Sequence, residues 1–172
     1  MDDAQEAACP TRALGYIHCL TLPRVLSWEN GTLCQRPIEE VFRLRYNPRI
    51  YTAPQGSFQA ESGHFELHLT RKAPTGPLSL SLRNHTVDIS YLPERQLLRV
   101  ARQNWADGGV QAREISLPTL TDLDIFSDAS SAEIFVNDGA AVFSMRYFTG
   151  GENLRIDYAG LAREERLEYY TL

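Results

Sequence analysis

The chain has 172 residues, a net charge of −5 and 43% hydrophobic residues, which fits one domain, or a domain with an appendage, around a real core. The acidic balance argues against a nucleic-acid partner, which needs a clustered basic surface. No apolar run approaches the ~20 residues that a membrane helix needs. Acidic residues at the start (Asp2, Asp3, Glu6) are unlike a signal peptide, so we expect a cytoplasmic protein without a membrane partner.

Residues 1–45 alternate poorly and contain all three cysteines. Cys9, Cys19 and Cys34 form no CxxC pair and the four histidines are scattered, which disfavours a zinc site. We therefore expect three buried or half-buried free thiols. A proline followed by acids and by apolar residues at helical spacing favours a short helix over 36–42. A domain boundary is predicted near 46–48, with an appendage or linker before it.

The body of the chain is predicted to be β. Apolar and polar residues alternate with a period of two, which places one face of a strand on a core. Turn signals separate the runs, one of them at 74–77. Many short strands with turns between them indicate an antiparallel two-sheet sandwich or a barrel. The predicted strands are 65–69, 78–82, 87–91, 97–101, 123–126, 133–136, 141–147 and 154–158.

In the C-terminal third, the sequence pattern predicts one structure at one place and two alternatives at another. Asn137-Asp138-Gly139 stands between two β-rich runs, which predicts a tight hairpin turn with Gly139 at positive φ. Residues 161–167 contain good helix formers, yet Leu167, Tyr169 and Thr171 could equally form a last strand. The helix and the strand both stay open there.

Acidic pairs are the first candidates for chemistry, because two facing carboxylates could hydrolyse a glycoside. Asp122 and Asp124 would share a strand face, and Glu133 and Asp138 flank a hairpin arm. Solvated acids in turns and at strand edges are the commoner interpretation. The sequence has no GxSxG, GxGxxG or Walker motif, so it lacks a nucleophile elbow and a phosphate-binding loop. We expect no metal and no cofactor.

Trp105 is the weak candidate for substrate binding. It stands in a polar setting, which makes it the best candidate for an exposed aromatic ring that could stack on a sugar. Core packing is the more frequent fate of such a residue.

Two motifs about 100 residues apart carry a family resemblance. The segment GYIHCLTLPRVL at 15–26 resembles the end of the catalytic propeller in glycoside hydrolase family 32, and 30–37 is similar to that family's linker. The segment LDIFSDASSAEIFVNDG at 123–139 is similar to the hallmark of the family's C-terminal β-sandwich, with Ala129 and Ala132 as departures. Residues 2–11 resemble the stretch that precedes the first segment. Bacterial sucrose-6-phosphate hydrolases and invertases are the members it most resembles.

The resemblance implies a sandwich at 46–172, with 1–45 as a remnant of the last propeller blade plus linker. The family's catalytic acids lie in WMNDPNG-like, RDP and EC motifs, and this sequence contains none of them, so no catalytic residue is carried over. The implied role is to brace the propeller of a retaining β-fructofuranosidase, while the chain alone is inactive. A free-standing, lectin-like carbohydrate-binding module and a non-functional remnant are the alternatives.

The partners expected on this basis are a catalytic propeller or a second copy of the chain. The apolar residues of the N-terminal segment would drive either contact; they are Leu14, Ile17, Leu20, Leu22 and Leu26.

Overall fold

Fourteen strands and four short helices make up the described part of the computed structural model, residues 3–72 and 76–172. The helices are α1 (Asp3–Ala7) and the 3₁₀ helices Pro10–Leu14, Glu39–Leu44 and Pro93–Arg95. The strands are β1 (Arg24–Glu29), β2 (Thr32–Pro37), β3 (Tyr46–Tyr51), β4 (Gln55–Gln59), β5 (Phe65–Thr70), β6 (Leu78–Leu82), β7 (Val87–Leu92), β8 (Leu97–Gln103), β9 (Val110–Ser116), β10 (Asp122–Ser127), β11 (Ser131–Val136), β12 (Ala141–Arg146), β13 (Arg155–Ala159) and β14 (Arg166–Thr171).

Two six-stranded antiparallel sheets form the predicted sandwich. Sheet 1 has the order β12-β11-β10-β5-β14-β3, and sheet 2 has the order β4-β13-β6-β7-β8-β9. Strands β1 and β2 pair separately as a hairpin. All the pairings are antiparallel, so the fold class predicted from the alternating pattern is confirmed.

The core lies between the two sheets and is built from the alternating residues. Phe65 and Leu67 of β5 are fully buried, as are Leu80 of β6 and Ile89 of β7. Each such side chain contributes about 1.5–3 kcal/mol by leaving water. Eight strands were predicted from this alternation, and a strand lies at each of the eight places.

The open question at residues 161–167 is settled in favour of a strand. The backbone of Glu165 donates to the carbonyl of Ala162, which makes a turn, and β14 begins at Arg166. The buried Glu165 carboxylate accepts from the Ala162 N–H (2.9 Å) and from Arg71 Nε (3.0 Å). The alternation that buries Leu167 and Tyr169 therefore outweighs the helix propensity of the residues before it, and a strand forms.

The short helix predicted over 36–42 is present in part, as a 3₁₀ helix that begins three residues later, at Glu39. Strand β2 continues through Pro37, which pairs with Arg24, and a 3₁₀ helix follows at Glu39–Leu44. The hairpin formed by β1 and β2 explains the difference, because its ladder holds residue 36 in extended geometry. Part of the turn predicted at 74–77, Pro74 and Thr75, lies outside the described residues.

Candidate functional site

The outer face of sheet 1 is covered by the segment that precedes the sandwich. We call residues 20–44, which include the β1–β2 hairpin, the linker. Phe126 and Phe135 project from β10 and β11 into an edge-to-face contact with ring centroids 5.9 Å apart. Val41 is buried against them. Further apolar residues complete this second cluster: Leu22, Ile38, Phe42, Val142 and Leu172.

Glu133 anchors the linker to the sheet. The residue is only 7% exposed, and its carboxylate accepts from the backbone N–H of Leu22 and from Arg24 Nη2, both at 2.5 Å. The Arg24 guanidinium also lies over the ring of Phe135, 5.4 Å from its centroid. A buried carboxylate held by two donors is costly to disturb, because removing one partner leaves an uncompensated charge. The contacts of Glu133 are therefore those of an anchor for the linker.

The Asn137-Asp138-Gly139 turn makes a second anchor, and its predicted geometry is confirmed. All three residues have positive φ, and that of Gly139 is +80°. Its carbonyl accepts from the Gln35 N–H at 2.9 Å. Arg36 donates to both carboxylate oxygens of Asp138, from Nε at 2.6 Å and from Nη2 at 2.7 Å. The β11–β12 hairpin therefore holds β2 of the linker directly.

Arg36 also ties the two linker strands together. Its Nη1 and Nη2 donate to the Glu29 carboxylate at 2.7 Å. These hydrogen bonds lower the pKa of Glu29 to about 2. The guanidinium thus joins Glu29 of β1 and the Asp138 turn of the sandwich.

The other two candidate acids also have structural partners. Asp124 lies 2.5 Å from Nδ1 of His68 on the neighbouring β5, and this hydrogen bond raises the pKa of the imidazole. Asp122 accepts from the Asp138 N–H (2.6 Å) and from the Thr121 hydroxyl (2.9 Å). With Glu133 and Asp138 as described, these contacts support the structural interpretation of all four acids.

Beside the His68 pair, Glu66 is the most buried carboxylate of this face. It is fully buried on β5 and is held by Nε and Nη2 of Arg45, at 2.7 and 2.5 Å. Burial raises the pKa of Glu66, against the opposing effect of the guanidinium. Sequence reasoning gave no sign of this pair, because its two members are 21 residues apart.

The expectation for the cysteines is confirmed at two positions and wrong at the third. Cys9 and Cys34 are buried free thiols, whereas Cys19 is an exposed one. Cys19 lies beside Leu20, which is 97% exposed, in a stretch with no strand or helix of its own. Within residues 3–72 and 76–172, no three His, Cys, Asp or Glu side chains converge in a way that could hold a metal ion.

The expectation that Trp105 is the exposed ring is wrong. Trp105 is half-buried, its indole N–H donates to the Gln5 carbonyl at 2.9 Å, and the Arg102 guanidinium covers its ring at 4.3 Å. Phe148 meets it edge-to-face. Trp105 does line a cavity of about 610 Å³. The exposed indole is that of Trp28, at 72%.

Trp28 belongs to an apolar face of the linker hairpin. Trp28 pairs with Leu33 across the two strands, and Leu26 lies two residues before Trp28 on the same face. All three are exposed. We call them the hairpin face. Elsewhere on the N-terminal half, further large apolar residues are exposed: Leu14, Tyr16, Leu20, Val25, Leu44, Tyr46 and Ile50.

No helix in the described ranges is both long and apolar enough to cross a membrane.

Comparison with known proteins identifies the family. The family model "Glycosyl hydrolases family 32 C terminal" matches residues 40–165. A probable sucrose-6-phosphate hydrolase of Psychromonas ingrahamii is 34% identical over 160 residues, covering 88% of this chain and 28% of that protein. The sucrose-6-phosphate hydrolase of Bacillus subtilis is 30% identical, covering 95% of this chain and 35% of that protein.

The same fold occurs in solved structures. The sucrose-6-phosphate hydrolase of Lactobacillus gasseri superposes with a TM-score of 0.78 at 24% identity, covering 95% of this chain and 36% of that one. The chain thus spans about a third of the length of the relatives it matches. The family match, the sheet order and the linker anchors agree with the resemblance in the two sequence motifs. The chain belongs to glycoside hydrolase family 32, as the C-terminal β-sandwich domain of that family.

Proposed function

We propose that this domain braces the catalytic propeller of a β-fructofuranosidase and does not itself cleave the glycosidic bond. The hairpin face carries the proposal: Leu26, Trp28 and Leu33 are exposed on a hairpin that Glu133 and Asp138 fix to the sandwich. A fixed apolar face suits contact with another folded body. In this proposal residues 1–45 are blade remnant and linker, and residues 46–172 are the sandwich.

The parent reaction in this proposal is retaining hydrolysis of a fructofuranoside such as sucrose or its 6-phosphate. The names of the relatives support the substrate class, since those proteins are sucrose-6-phosphate hydrolases. The four candidate acids support a non-catalytic role for this domain, because each is engaged by a structural partner. The reducing cytoplasm is the proposed compartment, supported by the three free cysteines.

The purified chain is expected to hydrolyse neither sucrose nor sucrose 6-phosphate. Losing one member of a catalytic set typically lowers the rate by several orders of magnitude, and this sequence has none of the family's three motifs. Released hexose measured over hours at high enzyme concentration is the assay. Turnover that disappears in Asp124→Asn would contradict the proposal, because it would place catalysis in the sandwich.

A chimera tests the bracing role. The matching third of the Bacillus subtilis enzyme would be replaced by this chain, and sucrose-6-phosphate hydrolysis measured. We expect activity in the chimera and its loss, together with a lower melting temperature, when Leu26 and Trp28 are both changed to Asp. The matched control is Val110→Asp, since Val110 is as exposed as Leu26 but lies on β9 of sheet 2, outside the hairpin. Equal effects of both changes would reject the hairpin face as the contact.

A further inference from the structure

One cavity in the described part lies where the sandwich is open at one side. Strand β9 is the edge of sheet 2, and β12 is the edge of sheet 1. The cavity of about 610 Å³ is lined by residues of β8, β9 and β12 and by Gln5 of α1. This volume falls within the range of small-molecule sites, roughly 300–1,000 Å³. We call it the β9–β12 cleft.

Polar residues replace apolar ones on the inner face of sheet 2 at this cleft. Val100 is part of the core, and Arg102 lies two residues further on the same face of β8. Gln111 is the cross-strand partner of Arg102, and Arg113 is the partner of Val100. The inner faces of a sandwich normally carry the apolar core. Here three polar side chains lie on the inner face instead and form the floor of the cleft: Arg102, Gln111 and Arg113.

The charged residues that the structure describes in the lining of the cleft are all arginines. Arg102, Arg113 and Arg146 line it, and none of its described lining residues is acidic, although the whole chain carries a net charge of −5. On the opposite face of the same two strands, Arg99 pairs with Glu114. In the described part of the chain, no carboxylate pairs with Arg113 or Arg146. Guanidinium groups bind phosphate through paired, charge-assisted hydrogen bonds.

The guanidinium groups are held in position before any ligand arrives. Arg102 lies over the Trp105 ring and donates to the Gln111 side chain at 2.7 Å. Arg146 donates to the carbonyls of Ser130 and Ile17 and, through Nη2, to the hydroxyls of Ser130 and Thr11, so it supplies a fixed charge beside the cleft and few free donors. Arg113 is exposed and its Nη1 donates to the Ala112 carbonyl, so its other N–H groups can point at a ligand. Fixed charges of this kind lower the ordering cost of binding.

We propose that the β9–β12 cleft binds a small phosphate ester of a sugar or a similar polyol. Arg113 would take the phosphoryl group, and Gln111 and the indole wall of Trp105 would face the hydroxylated part. This assignment gives Trp105 a ligand-binding role next to the anion, and it does not depend on the bracing role proposed above.

Tryptophan fluorescence in the full chain tests the assignment. The chain has two tryptophans, so Trp28→Phe leaves Trp105 as the single reporter. We expect titration with a hexose 6-phosphate to change its emission, with weaker binding of inorganic phosphate and none of the unphosphorylated hexose at the same concentrations. Affinity should fall as salt rises, because the contact is ionic.

Arg113→Gln is expected to weaken binding of the hexose 6-phosphate by about tenfold or more, and Arg113→Lys by less, since the charge stays and the paired donors are lost. Arg99→Gln on the opposite face is the matched control and should leave affinity unchanged. Melting temperatures establish that each variant is folded. Three results would overturn the proposal: no change in Trp105 emission up to about 10 mM hexose 6-phosphate, equal binding of the unphosphorylated hexose, or an equal loss of affinity in Arg113→Gln and Arg99→Gln.

Discussion

Single residues fix the contact between linker and sandwich, and Gly139 is the clearest case. Gly139→Val is expected to lower the free energy of unfolding by more than ~1 kcal/mol, since φ is +80° and a Cβ would lie 2.1 Å from the Gln35 carbonyl oxygen. Chemical denaturation measures it. Gly31→Val introduces the same backbone strain but no steric clash, so it should lower the free energy of unfolding by less. Gly151→Val introduces neither the strain nor a clash. A Gly139 variant as stable as the Gly151 variant would show that the turn is assigned wrongly.

The His68–Asp124 pair predicts a pH dependence at the same scale. In the folded chain the pKa of His68 is raised above the ordinary value of 6.5, so folding is favoured when the imidazole is charged. The stabilisation from His68 should be complete below about pH 6.5 and disappear as pH rises through the folded pKa. Unfolding free energies of the wild type and His68→Asn from pH 5 to 9 check this, and the gap should be widest at low pH.

Asp124→Asn is the control for that titration. It removes the hydrogen bond that is the largest cause of the shift, so it should flatten the same pH range. Arg45 and Glu168 also act on His68, Glu66 interacts with it, and all three remain in both variants. A gap between wild type and His68→Asn that widens at high pH would contradict the sign of the shift.

At the scale of elements, the linker depends on Glu133. We expect Glu133→Gln to speed hydrogen exchange at the Leu22 amide and to expose the linker to limited proteolysis, while the sandwich core stays protected. The reason is that the change removes the negative charge that holds Arg24 and leaves a weaker, neutral acceptor for the Leu22 N–H. Glu114→Gln, on an exposed pair with Arg99, is the matched control. Unchanged exchange at Leu22 would show that apolar packing alone holds the linker.

The elements that sequence could predict are those with one buried and one exposed face. Strands such as β5 and β7 show that alternation directly, with buried residues at every second position. The edge strands β4 and β9 were not predicted, because QGSFQ and VQAREIS contain too few alternating apolar residues. The β1–β2 hairpin was missed although Asn30-Gly31 is a strong hairpin turn, with φ of 49° and 80°.

The anchors of the linker were harder to predict than the strands. The Glu133–Leu22 contact joins residues 111 apart, and the Arg36–Asp138 pair joins residues 102 apart. Nothing in the local pattern around Glu133 shows that it is buried, because its neighbours would suit an exposed strand face equally well. Only the family resemblance indicated that segments 15–26 and 123–139 have related roles in the molecule.

At the scale of the whole molecule, exposed apolar residues of the N-terminal half predict self-association of the chain. Leu14, Leu20 and Leu26 are all exposed, whereas Ile17 and Leu22 are half-buried. A lone chain always has copies of itself to cover such residues. We expect a dimer or larger species by light scattering at several concentrations, with less association once residues 1–26 are deleted.

A point variant separates this effect from damage to the fold. Leu20→Ser with Trp28→Ser should reduce association without changing the melting temperature, because neither side chain is buried. Val110→Ser, on β9 of sheet 2, serves as the control. A strictly monomeric full-length chain that behaves like the deletion variant would contradict the prediction.

The position of β14 in sheet 1 has a consequence for biosynthesis. This strand comes last in the chain order, yet it lies inside the sheet, between β5 and β3. Since β3 joins the sheet only through β14, β3 cannot pair until β14 has emerged from the ribosome. Until then the backbone edge of β5 that pairs with β14 has no neighbouring strand and is open to chaperones or to other nascent chains. The sandwich therefore closes after translation has passed residue 171, and premature termination upstream of β14 would leave β3 unpaired and one edge of β5 open.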